Sequence, residues 1–178
     1  VHCRHNRDAA ESLATELGAR VVEADLADEV AVDSMFDACA PTMVVNNAAL
    51  QTVCELADMT ADDWRSMLAA NLDGPYLVTQ RAARNFGDRG GAIVNIASIF
   101  GLLPGPLYSP YVATKHAVVG LSRSLRLEGR AAGIKVNVIC PGFIETRIVE
   151  NAELANVDRA RARASIPFRF LPVSEAAG

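Results

Sequence analysis

The chain has 178 residues, 51% hydrophobic and 21% charged, with a net charge of −4. That length sustains one domain with a substantial core, expected to run over residues 1–178. The acidic balance leaves no basic footprint for nucleic acid, and no apolar run approaches the ~20 residues that cross a bilayer.

In chain order, "VHC" opens as an apolar fragment and residues 8–17, "DAAESLATEL", predict a helix stopped by Gly18. "RVVEA" is a strand candidate. Residues 28–39 predict a second helix with Val32, Met35 and Phe36 on one face. "TMVV" is a strand that runs into "NNAA". Thr60 to Asp63 has the form of a capping box, opening a long helix to about residue 86 through Trp64, Met67, Leu68 and Leu72. "AIVNIA" (92–97) is rich in β-branched residues and predicts a strand. A long helix is expected over 109–131 and a strand over 134–139. After Pro141-Gly142 the pattern weakens, and "SEAAG" reads as a first helical turn. Near-continuous apolar strands alternating with amphipathic helices predict an α/β fold. It would be a Rossmann-like, doubly wound parallel sheet with helices on both faces and right-handed crossovers. Such folds open with a strand, a Gly-rich turn and a helix, which this sequence does not show. The chain is therefore expected to be a fragment lacking the first βα unit and the last strand.

The four cysteines, Cys3, Cys39, Cys54 and Cys140, lie in or beside apolar stretches without a C-x-x-C pair. They read as free thiols in a reducing cytoplasm, and no secretory leader is visible. His2, His5 and His116 lack metal-ligand spacing, so no metal site is expected.

Lysine is scarce: 15 of the 17 basic residues are Arg, and Lys115 is one of two exceptions. It follows Tyr111 by four positions, so a helix turns both side chains the same way. An ammonium beside a phenol favours the phenolate, which predicts a lowered Tyr111 pKa and general acid–base work. Y-x-x-x-K alone is common and often marks only a shared helix face. Here Ser98 follows the strand "AIVNIA", and "NNAA" and Pro141-Gly142 follow two more strands. Open α/β sheets build their sites at those carboxyl ends.

Together, "NNAA" (46–49), "NLDGPY" (71–76), "IVNIASIFG" (93–101), "YVATK" (111–115) and "NVICPGFIET" (137–146) resemble the short-chain dehydrogenase/reductase family. They resemble in particular the branch that includes 3-oxoacyl-carrier-protein reductases. The resemblance implies an NAD(P)-dependent oxidoreductase that interconverts a carbonyl and a secondary alcohol. It puts the catalytic tetrad on Asn71, Ser98, Tyr111 and Lys115. Tyr111 would be the acid, or the base in reverse, and Ser98 would hold the carbonyl oxygen. Lys115 would tune Tyr111 and bind the nicotinamide ribose, a task for a compact ammonium rather than a broad guanidinium. Asn71 would hold a water linking Lys115 to solvent. The resemblance also implies cofactor contacts at Asp25 and Leu26 (adenine), at Asn47 and Ala48 (adenosine ribose), and at Pro141, Gly142, Ile144 and Thr146 (nicotinamide). Ala49 stands where the family usually has Gly, a mild departure. The missing Gly-rich turn is the serious one.

Cofactor choice is read after the first strand. An acid there suits the ribose 2′-OH of NAD, whereas Arg suits a 2′-phosphate. Arg4 and Arg7 precede the first acid, Asp8, so NADP is expected, with NAD the alternative. Arg159, Arg161 and Arg163 form either a solvated helix face or a dock for an anionic substrate or carrier protein. Two other functions compete: a nucleotide-sugar epimerase or dehydratase, which shares Tyr-x-x-x-Lys, and a non-catalytic binding protein or inactive fragment. "NNAA" and Pro-Gly argue against the first, and the complete tetrad against the second. Apolar residues spread around both long helices, among them Tyr76, Leu77, Val119 and Leu127, predict a homodimer or homotetramer.

Overall fold

The computed structural model describes residues 1–146, 148 and 152–176. Its first half runs β1 (His2–Cys3), α1 (Arg7–Glu16), β2 (Val22–Glu23), α2 (Glu29–Ala38), β3 (Met43–Asn46) and β4 (Thr52–Cys54). Then come α3 (Ala61–Leu68), α4 (Gly74–Phe86), β5 (Gly91–Ile96), α5 (Ser109–Glu128), β6 (Ile134–Ile139) and β7 (Glu153–Ala155). The short helices α6 (Arg159–Ala164) and α7 (Val173–Ala176) follow. All strand pairings are parallel: β1 with β2, β3–β5–β6 in that order, and β4 with β7. This is a Rossmann-like α/β fold.

Local chemistry explains the boundaries. The Asn6 and Asp28 side chains cap α1 and α2, and the Thr60–Asp63 capping box at the start of α3 is closed in both directions. α5 ends at Glu128, short of the predicted 131, and the Ile134 N–H turns back to Gly129 O at 2.9 Å. The long helix expected from 61 to 86 is two helices joined by one π turn, Ala69–Asp73. Pro75 supplies the reason: it has no N–H for the helical ladder, which must break at this point.

On one face of the central sheet, Ile93, Ile134 and Val136 pack against Val78, Ala82 and Phe86 of α4, and α2 adds Val32 and Phe36. Burying a side chain such as Phe86 contributes ~1.5–3 kcal/mol. Further along, Ala97 meets Val118 and Val119 of α5. The other face is less covered: Met43 and Val45 are 60% and 56% exposed. β4 and β7 escaped the sequence reading because three-residue segments carry no measurable periodicity. They form a small ribbon beside the carboxyl ends of the central strands, with Thr52, Val53 and Cys54 all buried.

Candidate active site

α5 carries Pro110 in its first turn, where its fixed φ is suited, and buries Tyr111 and Lys115 one turn apart. Lys115 is only 4% exposed. Its Nζ donates to the Ile96 carbonyl at 2.9 Å, at the carboxyl end of β5, and lies 5.4 Å from the centroid of the Tyr111 ring. Just beyond β5, the Ser98 Oγ accepts from the Phe100 N–H at 3.2 Å, and Ser98 lies near enough to the Tyr111 phenol to influence its proton affinity. The turn after Ser98 lies directly on α5. A Cβ at Gly101 would sit 2.8 Å from the Lys115 carbonyl oxygen, so only Gly permits the approach.

Burial dominates the proton affinities. It pushes Tyr111 up to about 12, with Ser98 pulling the other way. It lowers Lys115 to about 8, opposed by the nearby Cys140. The shift runs opposite to the lowering expected from Lys115, because burial disfavours the phenolate. Near neutral pH Tyr111 is a phenol near Ser98, ready to donate.

The π turn aims Asn71 inward. Its Oδ1 accepts from Leu50 N–H at 2.7 Å, and its Nδ2 donates to the Leu50 carbonyl at 2.8 Å and approaches Thr114 Oγ1 at 3.4 Å. The carboxamide thus ties the chain after "NNAA" to the π turn and to α5.

A cavity of about 870 Å³ opens over Ser98, Tyr111 and Lys115, and Asn47, Ala48, Pro141, Gly142, Ile144 and Thr146 line it too. The wall suits a nicotinamide nucleoside. A buried ammonium with one carbonyl partner has further hydrogens for ribose hydroxyls. Gly142 leaves open space where a side chain would start. Arg4, Asp25 and Leu26 lie apart from this wall. Arg4 pairs with Asp25 at 3.2 Å, and Leu26 packs against the core of α2 and α4. Arg7 pairs with Glu11 at 2.8 Å and Glu23 at 3.2 Å. Among the described residues no group of His, Cys, Asp and Glu could hold a metal ion, and no helix is long and apolar enough to cross a membrane.

A family profile described as short chain dehydrogenase matches residues 1–156. The chain belongs to the short-chain dehydrogenase family. It is 38% identical over 122 residues to D-beta-hydroxybutyrate dehydrogenase of Rhizobium meliloti (strain 1021), covering 68% of this chain and 46% of that protein. It is 35% identical over 179 residues to the uncharacterized oxidoreductase YgfF of Escherichia coli (strain K12), covering 91% of this chain and 72% of the relative. A gluconate 5-dehydrogenase from Burkholderia cenocepacia J2315, solved with NADP and tartrate, superposes with a TM-score of 0.75 at 33% identity. That match covers 83% of this chain and 62% of the solved one. The chain spans about half the length of the first curated relatives it matches, 46% and 41%.

In this member of the family, supporting residues escaped the sequence reading. Asn46 and Asn95 are register partners on β3 and β5. Asn46 Nδ2 donates to Asn95 Oδ1 at 2.8 Å and to Thr79 Oγ1 at 3.1 Å, while Asn95 Nδ2 donates to Ser122 Oγ at 2.8 Å. This buried chain binds two strands to α4 and α5 beneath the site. Its signal was an asparagine inside each of two apolar strands. The arginines of α6 also proved to be partnered: Arg161 pairs with Glu55, and Arg163 with Glu145 at 3.0 Å.

Proposed function

We propose that the protein interconverts a ketone and a secondary alcohol using NADP. The observation that carries this reading is the buried Tyr111 phenol, one helical turn from buried Lys115 and sharing a cavity wall with Ser98. A bound nicotinamide supplies the hydride that reaches the carbonyl carbon. Tyr111 gives its proton to the carbonyl oxygen, so a ketone, a hydride and a proton yield the alcohol. Ser98 holds the same oxygen by a hydrogen bond and so favours the developing alkoxide. Lys115 binds ribose hydroxyls, and solvent returns the proton to Tyr111. Asn71 positions the "NNAA" segment, where Asn47 and Ala48 would meet the adenosine ribose. Pro141, Gly142, Ile144 and Thr146 would hold the nicotinamide, and Asp25 and Leu26 the adenine side.

Preference for NADP rests on Arg4 and Arg7, and the gluconate 5-dehydrogenase relative was solved with NADP. Their carboxylate partners must share these guanidiniums with a 2′-phosphate. The free cysteines suit a reducing cytoplasm. The test is reduction of a ketone panel by the full-length protein with NADPH and NADH. Tyr111→Phe should lose at least ~100-fold in kcat. Activity of this variant within twofold of the wild type would refute the role of Tyr111.

A further inference from the structure

The walls that lead away from Tyr111 are aromatic. Phe100 stands edge-on to the Tyr111 ring at 6.3 Å and 84°, and touches Tyr108 at 5.1 Å. It also meets Phe143 edge-on at 5.3 Å. Phe143 stacks on Phe168 at 5.5 Å and 13°, and Phe170 lies 5.5 Å away on a tilted plane. The β4–β7 ribbon closes another side with Val53 and Leu154, and Ile166 joins the same apolar cluster.

Asn47, Gln51 and Thr146 also line the cavity, but several of its other polar groups are spoken for. Ser98 and Tyr111 serve the carbonyl, and the Tyr108 hydroxyl points to Ala162 O at 3.4 Å. Arg163 binds Glu145 at 3.0 Å and covers the Phe170 ring at 4.5 Å. Glu153, which also lines the cavity, lies 3.5 Å from Thr52 Oγ1. A chain of hydroxyls placed between Val53, Phe100, Phe143 and Ile166 would lose water and find few partners. Each unpaired hydroxyl costs roughly tenfold in affinity. Ring carbons there meet ring edges and faces instead.

We infer that the carbonyl substrate carries a bulky apolar ring system, lying against the wall formed by Phe100, Tyr108 and Phe143, rather than a polyol or a short acyloin. This inference rests on the oxidoreductase reading above and names the substrate class for that same site.

The full-length protein is assayed with NADPH and with NADH against 2-acetylnaphthalene, acetoin and 5-keto-D-gluconate. The expected kcat/KM for 2-acetylnaphthalene is at least ~100-fold above the other two, the combined effect of two such unpaired hydroxyls. Equal or better reduction of acetoin or keto-gluconate overturns the substrate class and leaves the oxidoreductase reading standing. Reduction of none of the three with either cofactor overturns both. Phe143→Ala should raise KM for 2-acetylnaphthalene about tenfold with a smaller change in kcat, and Phe143→Leu should recover part of it. An unchanged KM in a variant that melts like the wild type overturns the seat at Phe143. If Phe143→Ala does not fold, the wild-type panel alone decides.

Discussion

Lys115 is the buried charged side chain among the described residues, and its energetics can be separated from its chemistry. Its ammonium is 4% exposed, has one carbonyl partner and no carboxylate, and its pKa is lowered to about 8. A lysine whose folded pKa lies below its unfolded value binds fewer protons folded than unfolded between about 8 and the ordinary 10.5. Stability therefore rises with pH across that window, and the full penalty is present below it. Tyr111 behaves oppositely. Its pKa of about 12 exceeds the ordinary 10, so its contribution is whole below pH 10 and is lost as pH climbs through 12. The window from 8 to 10 thus belongs to Lys115. Lys115→Met should raise stability at pH 7 by about 1–3 kcal/mol and abolish ketone reduction. That advantage should shrink toward zero by pH 10, read from urea unfolding of both proteins in parallel. A variant less stable than the wild type at pH 7 would show that the Ile96 hydrogen bond outweighs desolvation. In the wild type, kcat/KM for reduction should fall as pH rises past about 8, where the ammonium that binds the ribose is lost.

Among the elements, the π turn at Ala69–Asp73 does most to assemble the site, because one extra residue per turn turns Asn71 toward Leu50 and Thr114. Asn71→Ala would remove the side-chain partner of both the Leu50 N–H and its carbonyl in a part-buried setting. It should cost about 2–4 kcal/mol in urea unfolding and lower kcat, since "NNAA" would lose its tie to α5. A loss under 0.5 kcal/mol, near the range of a neutral surface change, would mean that water replaces the side chain at little cost. This turn also shows what a sequence can and cannot display. Apolar spacing revealed a helix around Trp64, Met67 and Leu72, and Thr60–Asp63 revealed where it starts. The break was visible only as Gly74-Pro75 inside a helical pattern, a weak sign because proline also sits in first turns. Tyr111, Lys115 and Ser98 were legible because helix periodicity and strand ends are local properties. The Asn46–Asn95–Ser122 chain was not, since it depends on the register of β3 against β5. The Tyr111 pKa was misjudged for a related reason: spacing reports neighbours, whereas the dominant influence is how deeply the helix is buried. The same blindness to long-range pairing hid β4 and β7, and with them one wall of the cavity.

For the whole molecule, the open question is where the remaining apolar surface goes. Val119 was expected on an outer helix face, yet it is buried against Ala97 with Val118, so it belongs to the subunit core and cannot probe an interface. The outer surfaces of the paired helices carry other candidates. Tyr76 on α4 is 45% exposed, with Gln80 donating to its hydroxyl, and Leu127 near the end of α5 is 67% exposed. Trp64 on α3 is exposed as well. Met43 and Val45 offer a second apolar area on the opposite face of the sheet. A two-fold pairing of α4 and α5 with their copies would bury the first set, and a stable dimer needs about 800 Å² on each partner. We expect the full-length protein to be a homodimer or homotetramer joined through these helices. Tyr76→Glu should lower the mass in light scattering by one assembly step at micromolar concentration. The circular dichroism spectrum should be preserved, because Tyr76 lies outside the core clusters. Val45→Lys should leave the mass unchanged, since that side chain is on the other face of the sheet. A monomeric wild type would refute the helical interface, and a mass change in Val45→Lys alone would move the interface to the sheet face.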